Sequence, residues 1–367
     1  MKRSVTRTLR PLAALALSAT AFAGNPAGRS DAWAAEQSAP QLYAGIGSAS
    51  SEYWSDFVTG AKAVAQSVGG GVRVLASDFQ GQKHLEQFGA IFGQGCEGCA
   101  VAIDTASNAF TKAIVQRADS AGAYAVTILN RPDSIHPWDT APNHWVAHLE
   151  YDSFDGGYQN ALALIHAMGG KGGIVALAGV ADNPPSKRRI EAVRRAVAEN
   201  PGVKLLDMQI ADWDQTKAQR ITRTWLAEYG DRLTGIFSAN DAMALGAVAA
   251  LKEKGLNGRI PVTGFDGSHD ALELIKAGDM LSTTYSDGAY LGAVSLALAY
   301  AAATGKLDPA SLPHEKRDFY LKSKLVARAD VDQILASRHD PEELSYQAIS
   351  RDFWAQSAGP ILPGANR

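Results

Sequence analysis

The sequence predicts two α/β domains, each a doubly wound parallel sheet with helices on both faces. Three observations carry that prediction. At 367 residues the chain is longer than one ordinary domain. With 46% hydrophobic and 20% charged residues it can fill two sizeable cores. From residue 41 onward, short all-apolar runs alternate with helical patterns in two successive blocks, separated by Pro132, Pro137 and Pro142.

The elements follow in order. Residues 1–34 have the plan of a secretory signal peptide: Lys2, Arg3, Arg7 and Arg10 precede a 13-residue apolar stretch, 11–23, and small-residue cleavage sites follow. Cleavage after Ala23 or after Ala34 fits, and Ala34 is preferred because a short polar tail then precedes the first strand. The stretch is shorter than the ~20 residues that span a bilayer. No lipid-accepting cysteine follows, so a soluble exported protein is expected.

Runs 42–47, 72–77, 100–103 and 124–129 lack polar alternation, as strands buried on both faces do. Between them, 52–68, 83–92 and 108–121 read as helices. In the first of these, Phe57, Ala61, Val64 and Val68 recur at three- and four-residue spacing. The second block repeats the cadence, with strands at 173–178, 205–210, 235–238 and 262–265 and helices at 152–168, 186–199, 214–229 and 241–254. Asp152, Ser186, Asp214 and Ser268 are the expected N-caps, and Gly255 a helix stop. Then come an extended run 281–286, a helix 289–303 and an extended run 319–326. From about 328 the pattern is less regular, with 340–350 as a candidate helix in an extension packed on the outside.

Charge argues against nucleic acid. The formal net charge is −3, and residues 1–34 carry +4, so the remainder carries −7 and would repel a phosphate backbone. Cys96 and Cys99 are the only cysteines, in GCEGC. Without a second pair or a following helix, and with export expected, a local disulfide is preferred over zinc or redox chemistry. His144 and His148 are four apart, but 145–149 reads as a strand, which leaves both on one face with no carboxylate partners nearby, so no metal is expected. No nucleophile elbow or ordered Ser/His/Asp set is present.

The first strand ends in GIGSAS at 45–50, close to a dinucleotide-binding turn. Ser50 replaces the third glycine, and Glu52, Tyr53 and Trp54 would repel and obstruct a pyrophosphate. Two adjacent aromatics at a strand's carboxyl end suit the C–H faces of a sugar ring instead.

From about residue 41 to 326 the chain resembles the ribose- and galactose-type periplasmic sugar-binding proteins. The landmarks occur in one consistent order: FVTGA at 57–61, LNRP at 129–132, YDSFDGG at 151–157, SKRRIEAV at 186–193, ADWD at 211–214, SANDAMALG at 238–246 and VTGFDG at 262–267. The resemblance implies the type I periplasmic binding protein fold, with a ligand cleft between the domains and three crossings near Tyr151, Ser286 and Asp318. The domains would be 35–151 plus 287–318 and 152–286 plus 319–335, with 336–367 as the extension.

It also implies a site. Tyr53, Trp54 and Trp213 match stacking aromatics, Ser51 a hydroxyl contact, Asn130 and Arg131 a polar pair, Arg189 a cleft arginine, Asn240 an amide, Asp266 a carboxylate and Ser286 a hinge-side polar group. Asn130 stands where the family usually has aspartate, which leaves the sugar's identity open. The residue types also make sense on their own: sugar hydroxyls donate and accept, so planar bidentate groups give selectivity. Asn130, Arg131, Asn240 and Asp266 lie just past strand carboxyl ends, where open α/β sheets bind ligands. Asp241 reads as a helix N-terminal carboxylate and not a contact.

The expected function is capture of a monosaccharide or cyclic polyol for an inner-membrane ABC-type permease, by a periplasmic monomer without cofactor. A chemoreceptor or sensor kinase is a further candidate partner. Two rival classes are weighed. A repressor's sensor domain would need a helix-turn-helix that the N-terminus lacks. A secreted sugar-active enzyme would need paired carboxylates in the cleft, and only Asp266 is evident.

Overall fold

The computed structural model describes residues 39–337 and 340–361. The expected signal peptide, with both candidate cleavage sites, lies outside the described residues.

The first half alternates strand and helix: β1 (Leu42–Ile46), α1 (Glu52–Ser67), β2 (Val72–Ala76), α2 (Gly81–Gly93), β3 (Ala100–Asp104), α3 (Asn108–Ser120), β4 (Tyr124–Ile128), a short α4 (Pro137–Thr140) and β5 (Trp145–Tyr151). After Asp152 the pattern restarts: α5 (Ser153–Ala167), β6 (Gly172–Ala178), α6 (Pro184–Ala198), β7 (Val203–Ile210), α7 (Gln215–Tyr229), β8 (Leu233–Ser238), α8 (Asp241–Lys252), β9 (Val262–Asp266), α9 (His269–Ala277) and β10 (Ser282–Tyr285). The chain then supplies α10 (Gly288–Ala303), β11 (Asp318–Leu321), β12 (Lys324–Ala327), α11 (Val331–Ala336), α12 (Tyr346–Ile349) and β13 (Ser357–Pro360).

These strands form two sheets. One runs β13-β11-β5-β4-β3-β1-β2, the other β12-β10-β9-β8-β6-β7. Both are parallel except at one edge, where β13 runs antiparallel to β11 and β12 antiparallel to β10. In each, the strand order reverses beside the first strand of the block, at β1/β3 and at β6/β8, which opens a crevice at the carboxyl ends. β1 and β3 are buried along their whole length, as their unbroken apolar runs require.

Small residues set the tightest helix contact. α1 crosses α10 so closely that a Cβ on Gly60 would lie 1.8 Å from the Ala289 carbonyl oxygen. A Cβ on Gly292 would lie 2.0 Å from that of Phe57. Cys96 and Cys99 are bonded to each other, buried against Phe92 and Val101.

Capping follows sequence at Asp152, Asp214 and Ser268, whose side chains accept from backbone N–H groups of α5, α7 and α9. Ser186 does not cap α6. That helix starts at Pro184, capped by Asn183, because two prolines fit a first turn that needs no N–H partner.

The extended run 319–326 is divided. β11 pairs with β5 in the first sheet and β12 with β10 in the second, so the crossing expected near Asp318 falls at Lys322–Ser323. Residues 319–321 therefore stand with the first sheet and not the second. The extension is not merely external: it returns to the first lobe, where Leu344, Tyr346, Ile349 and Phe353 are buried in the core and β13 completes the sheet. Within 340–350, only α12 is helical.

Candidate ligand-binding cleft

The carboxyl ends of the two sheets face each other across a cavity of about 500 Å³, a size suited to a small ligand. One wall comes from the turns after β1 to β4: Ser48, Ser51, Tyr53, Trp54, Phe79, Asp104 and Asn130. The opposite wall comes from the turns after β6 to β9: Asn183, Arg189, Asp212, Trp213, Asn240 and Asp266. Eight residues predicted from sequence thus come together: Ser51, Tyr53, Trp54, Asn130, Arg189, Trp213, Asn240 and Asp266.

Local backbone explains the placement. Asp78, Phe79, Leu129, Asp212, Trp213 and Asp266 all have positive φ, between 53° and 117°, and all six line the cavity. The only other described non-glycine residue with positive φ is Ala106, whose N–H donates to Asp104. Side-chain-bearing residues rarely adopt this conformation, at a cost of ~1–3 kcal/mol each. Backbone strain of this kind clusters at ligand clamps and active sites, and here it is gathered at one cleft.

The aromatics are fixed by packing. Tyr53 and Trp54 meet edge to face at 5.4 Å, and Trp54 reaches back to Phe57 at 5.8 Å. Trp213 lies so close over Gly179 that a Cβ there would touch the ring at 2.1 Å. Arg189 is sandwiched: its guanidinium carbon is 3.4 Å from the Phe265 ring centroid and 5.8 Å from that of Trp213. One of its nitrogens donates to the Ala239 carbonyl at 2.7 Å and lies 3.7 Å from Asp266.

Burial shifts the titration of the charged groups in the cleft. Burial raises the Asp266 carboxyl above the usual aspartate range, Arg189 opposes, and Asp241 and Glu52 add to the rise. Burial also lowers the Arg189 pKa, against the pull of Asp266. Asp104, absent from the sequence prediction, is buried in the opposite wall, and its carboxyl is pushed up to about 7 by desolvation. Its Oδ1 accepts from Asn130 Nδ2 and from Ala106 N, while its buried Oδ2 has no hydrogen-bond partner. Such an oxygen is costly to leave bare, so a ligand donor gains from meeting it. Burial raises the Tyr53 phenol well above its ordinary value, so it stays a donor. Asn240 caps α8 through Oδ1, leaving Nδ2 as the end a ligand can use.

Two predicted residues are elsewhere. Arg131 is buried beneath the cleft, paired with Asp318 at 3.1 Å and donating to the Pro132 and Ile135 carbonyls. Pro132 turns the chain, and the guanidinium staples the 131–136 loop to β11, with His136 on the same carboxylate at 2.8 Å. Ser286 lies at the second crossing, its N–H on the Asp266 carbonyl, and borders a separate cavity of about 160 Å³ behind Tyr53. Asp241 supports the site from outside: it accepts from Gly267 N, Ser268 N and the Thr283 hydroxyl, fixing the turn that presents Asp266. Among the described residues, no group of His, Cys, Asp and Glu could hold a metal ion, and no helix is long and apolar enough to cross a membrane.

Comparison with known proteins matches this fold. A family model described as periplasmic binding protein domain matches residues 46–307. The D-allose-binding periplasmic protein of Escherichia coli is 30% identical over 264 residues, covering 71% of this chain and 84% of that one. The xylitol-binding protein of Mycolicibacterium smegmatis is 32% identical over 164 residues, 44% of this chain but only 47% of its own length. A crystal structure from Burkholderia phytofirmans, described as a twin-arginine translocation pathway signal protein, superposes with a TM-score of 0.83 at 34% identity, covering 88% of this chain and 99% of that one. Both curated relatives are named as binding proteins and not as enzymes. With its two facing α/β lobes and the cleft between their strand ends, the chain belongs to the periplasmic binding protein family.

Proposed function

We propose that this protein captures a monosaccharide or cyclic polyol between its lobes, closes on it by hinge motion, and presents it to an inner-membrane ABC-type permease from the periplasm. The observation that carries the reading is the composition of the cavity. Aromatic rings (Tyr53, Trp54, Trp213) supply apolar faces, while Asp104, Arg189, Asn240 and Asp266 supply planar polar groups from opposite walls. Hydroxyls need both kinds of partner at once. Relatives named for D-allose and xylitol support the class of cargo. The crossings at Asp152, Ser286–Asp287 and Lys322–Ser323 are the hinge segments of this reading.

A thermal-shift screen of the protein against monosaccharides and sugar alcohols tests it, with Asp266→Ala as control. Binding to the folded state raises the melting temperature by mass action, ~2.7 kcal/mol at a hundredfold excess over Kd. A shift with one sugar or polyol that Asp266→Ala removes is the expected result. Silence across the panel sinks the sugar assignment.

A further inference from the structure

We propose that Asn130 is not a sugar contact but a bridge between the lobes, coupling occupancy at Asp104 to closure through Asn183. The inference rests on the cleft being the sugar site. Both ends of the Asn130 amide are engaged by protein: Nδ2 donates to Asp104 Oδ1, and Oδ1 accepts from Asn183 Nδ2 at 3.0 Å. Asp104 and Asn130 stand at the ends of β3 and β4 in one lobe, and Asn183 opens α6 in the other. Asn183 in turn caps α6, its Oδ1 accepting from Ser186 N, and that helix carries Arg189 into the cleft. A chain of hydrogen bonds thus runs from a carboxylate on one wall to the N-terminus of the helix that carries the guanidinium on the other.

Other contacts across the cleft are exposed or lie at a hinge. Ser107 to Asp182, Glu52 to His269 N and Arg188 to Asp133 are exposed, where water competes. Arg188 pairs with Glu150 beside the first crossing, where opening separates the lobes least. The Asn130–Asn183 bond is buried, so opening leaves an amide oxygen and an amide nitrogen to be rehydrated. A ligand donor on the bare Oδ2 of Asp104 holds the carboxylate charged and in place. That strengthens the hydrogen bond that orients Asn130.

Two variants test this. Asn183→Ser keeps an oxygen to cap α6 and removes the amide that reaches Asn130. Asn130→Asp keeps the acceptor but removes the donor to Asp104 and sets two carboxylates side by side. With a sugar or polyol that shifts the wild-type melting temperature, we expect Asn183→Ser to release it about tenfold faster in stopped-flow displacement, as loss of one buried hydrogen bond predicts. Asn130→Asp should weaken binding by at least as much, whereas a direct hydroxyl contact would bind as well or better as a carboxylate. Unchanged release by Asn183→Ser, or retained affinity in Asn130→Asp, overturns the bridge while leaving the sugar reading intact. If the wild type binds nothing in the panel, the sugar reading falls, and X-ray scattering without ligand still decides the bridge. A smaller radius of gyration for wild type than for Asn183→Ser upholds it, and equal radii overturn it.

Discussion

At the scale of single residues, the cleft shows what position along a strand can and cannot reveal. Asn130, Asn240 and Asp266 were legible because they follow apolar runs directly, and that places a side chain at the sheet's ligand edge. Asp104 obeys the same rule, directly after the run 100–103, but no family motif spans it, whereas LNRP at 129–132 spans Asn130. Arg131 and Ser286 satisfy the rule and still miss the cavity. Position sets where a Cα lies, while Arg131 is turned by Pro132 toward Asp318, a partner far along the chain. The raised carboxyl of Asp104 gives a prediction with a definite sign. Folded, it titrates near 7, against ~3.9 for an unfolded aspartate. Between those values the folded state holds a proton that the unfolded state has released, so its contribution to stability falls as pH rises through the window. Buried His84, lowered to about 4, and buried His148, also lowered, act in the opposite sense below about 6.5. Comparison with Asp104→Asn cancels both. Urea unfolding without ligand should therefore show wild type losing stability relative to Asp104→Asn between pH 5 and pH 8; a constant difference would refute the assignment.

At the scale of elements, strands were the easiest to read, because a strand buried on both faces has no polar alternation to blur it. Helix ends were harder. α6 begins two residues before the expected Ser186, since Pro184 and Pro185 read as loop but suit a helix's first turn. The run 319–326 looked like one strand because sequence does not record which sheet a strand joins; Lys322 and Ser323 carry it from one to the other. The α1–α10 contact was invisible for a related reason: a glycine inside a helical pattern reads as a weak helix former until its neighbour is known. Its consequence is testable. A methyl group on Gly60 would fall inside the Ala289 carbonyl oxygen, so the two helices must separate. Overpacking of this kind costs ~1–3 kcal/mol or more. Gly60→Ala should lower the urea midpoint accordingly, and an unchanged midpoint would mean the helices part without cost.

At the scale of the whole molecule, the C-terminal extension joins parts that the two-domain reading treated as complete. The second lobe finishes with α11, and the chain then returns to the first. There Leu344, Tyr346, Ile349 and Phe353 enter the core, and Tyr346 N donates to the Ser67 hydroxyl at the end of α1. β13 covers the open edge of β11, and the carbonyl of Gln356 accepts from Lys322 N at the third crossing. Composition gave no hint of this, because four apolar side chains in an irregular stretch have no period to detect. Each fully buried side chain of this kind contributes ~1.5–3 kcal/mol. Together they rival the ~5–15 kcal/mol net stability of an ordinary domain. A chain ending at Ser337 should therefore lose the first lobe's fold while keeping every strand and helix of the second. It would also expose β11 as an unpaired edge, a template for association. Size-exclusion chromatography after refolding checks this directly: the full chain should elute as a monomer and the truncated chain mainly as aggregate. A truncated monomer with the full chain's melting temperature would show that the extension is dispensable, and that the first lobe's core closes without it.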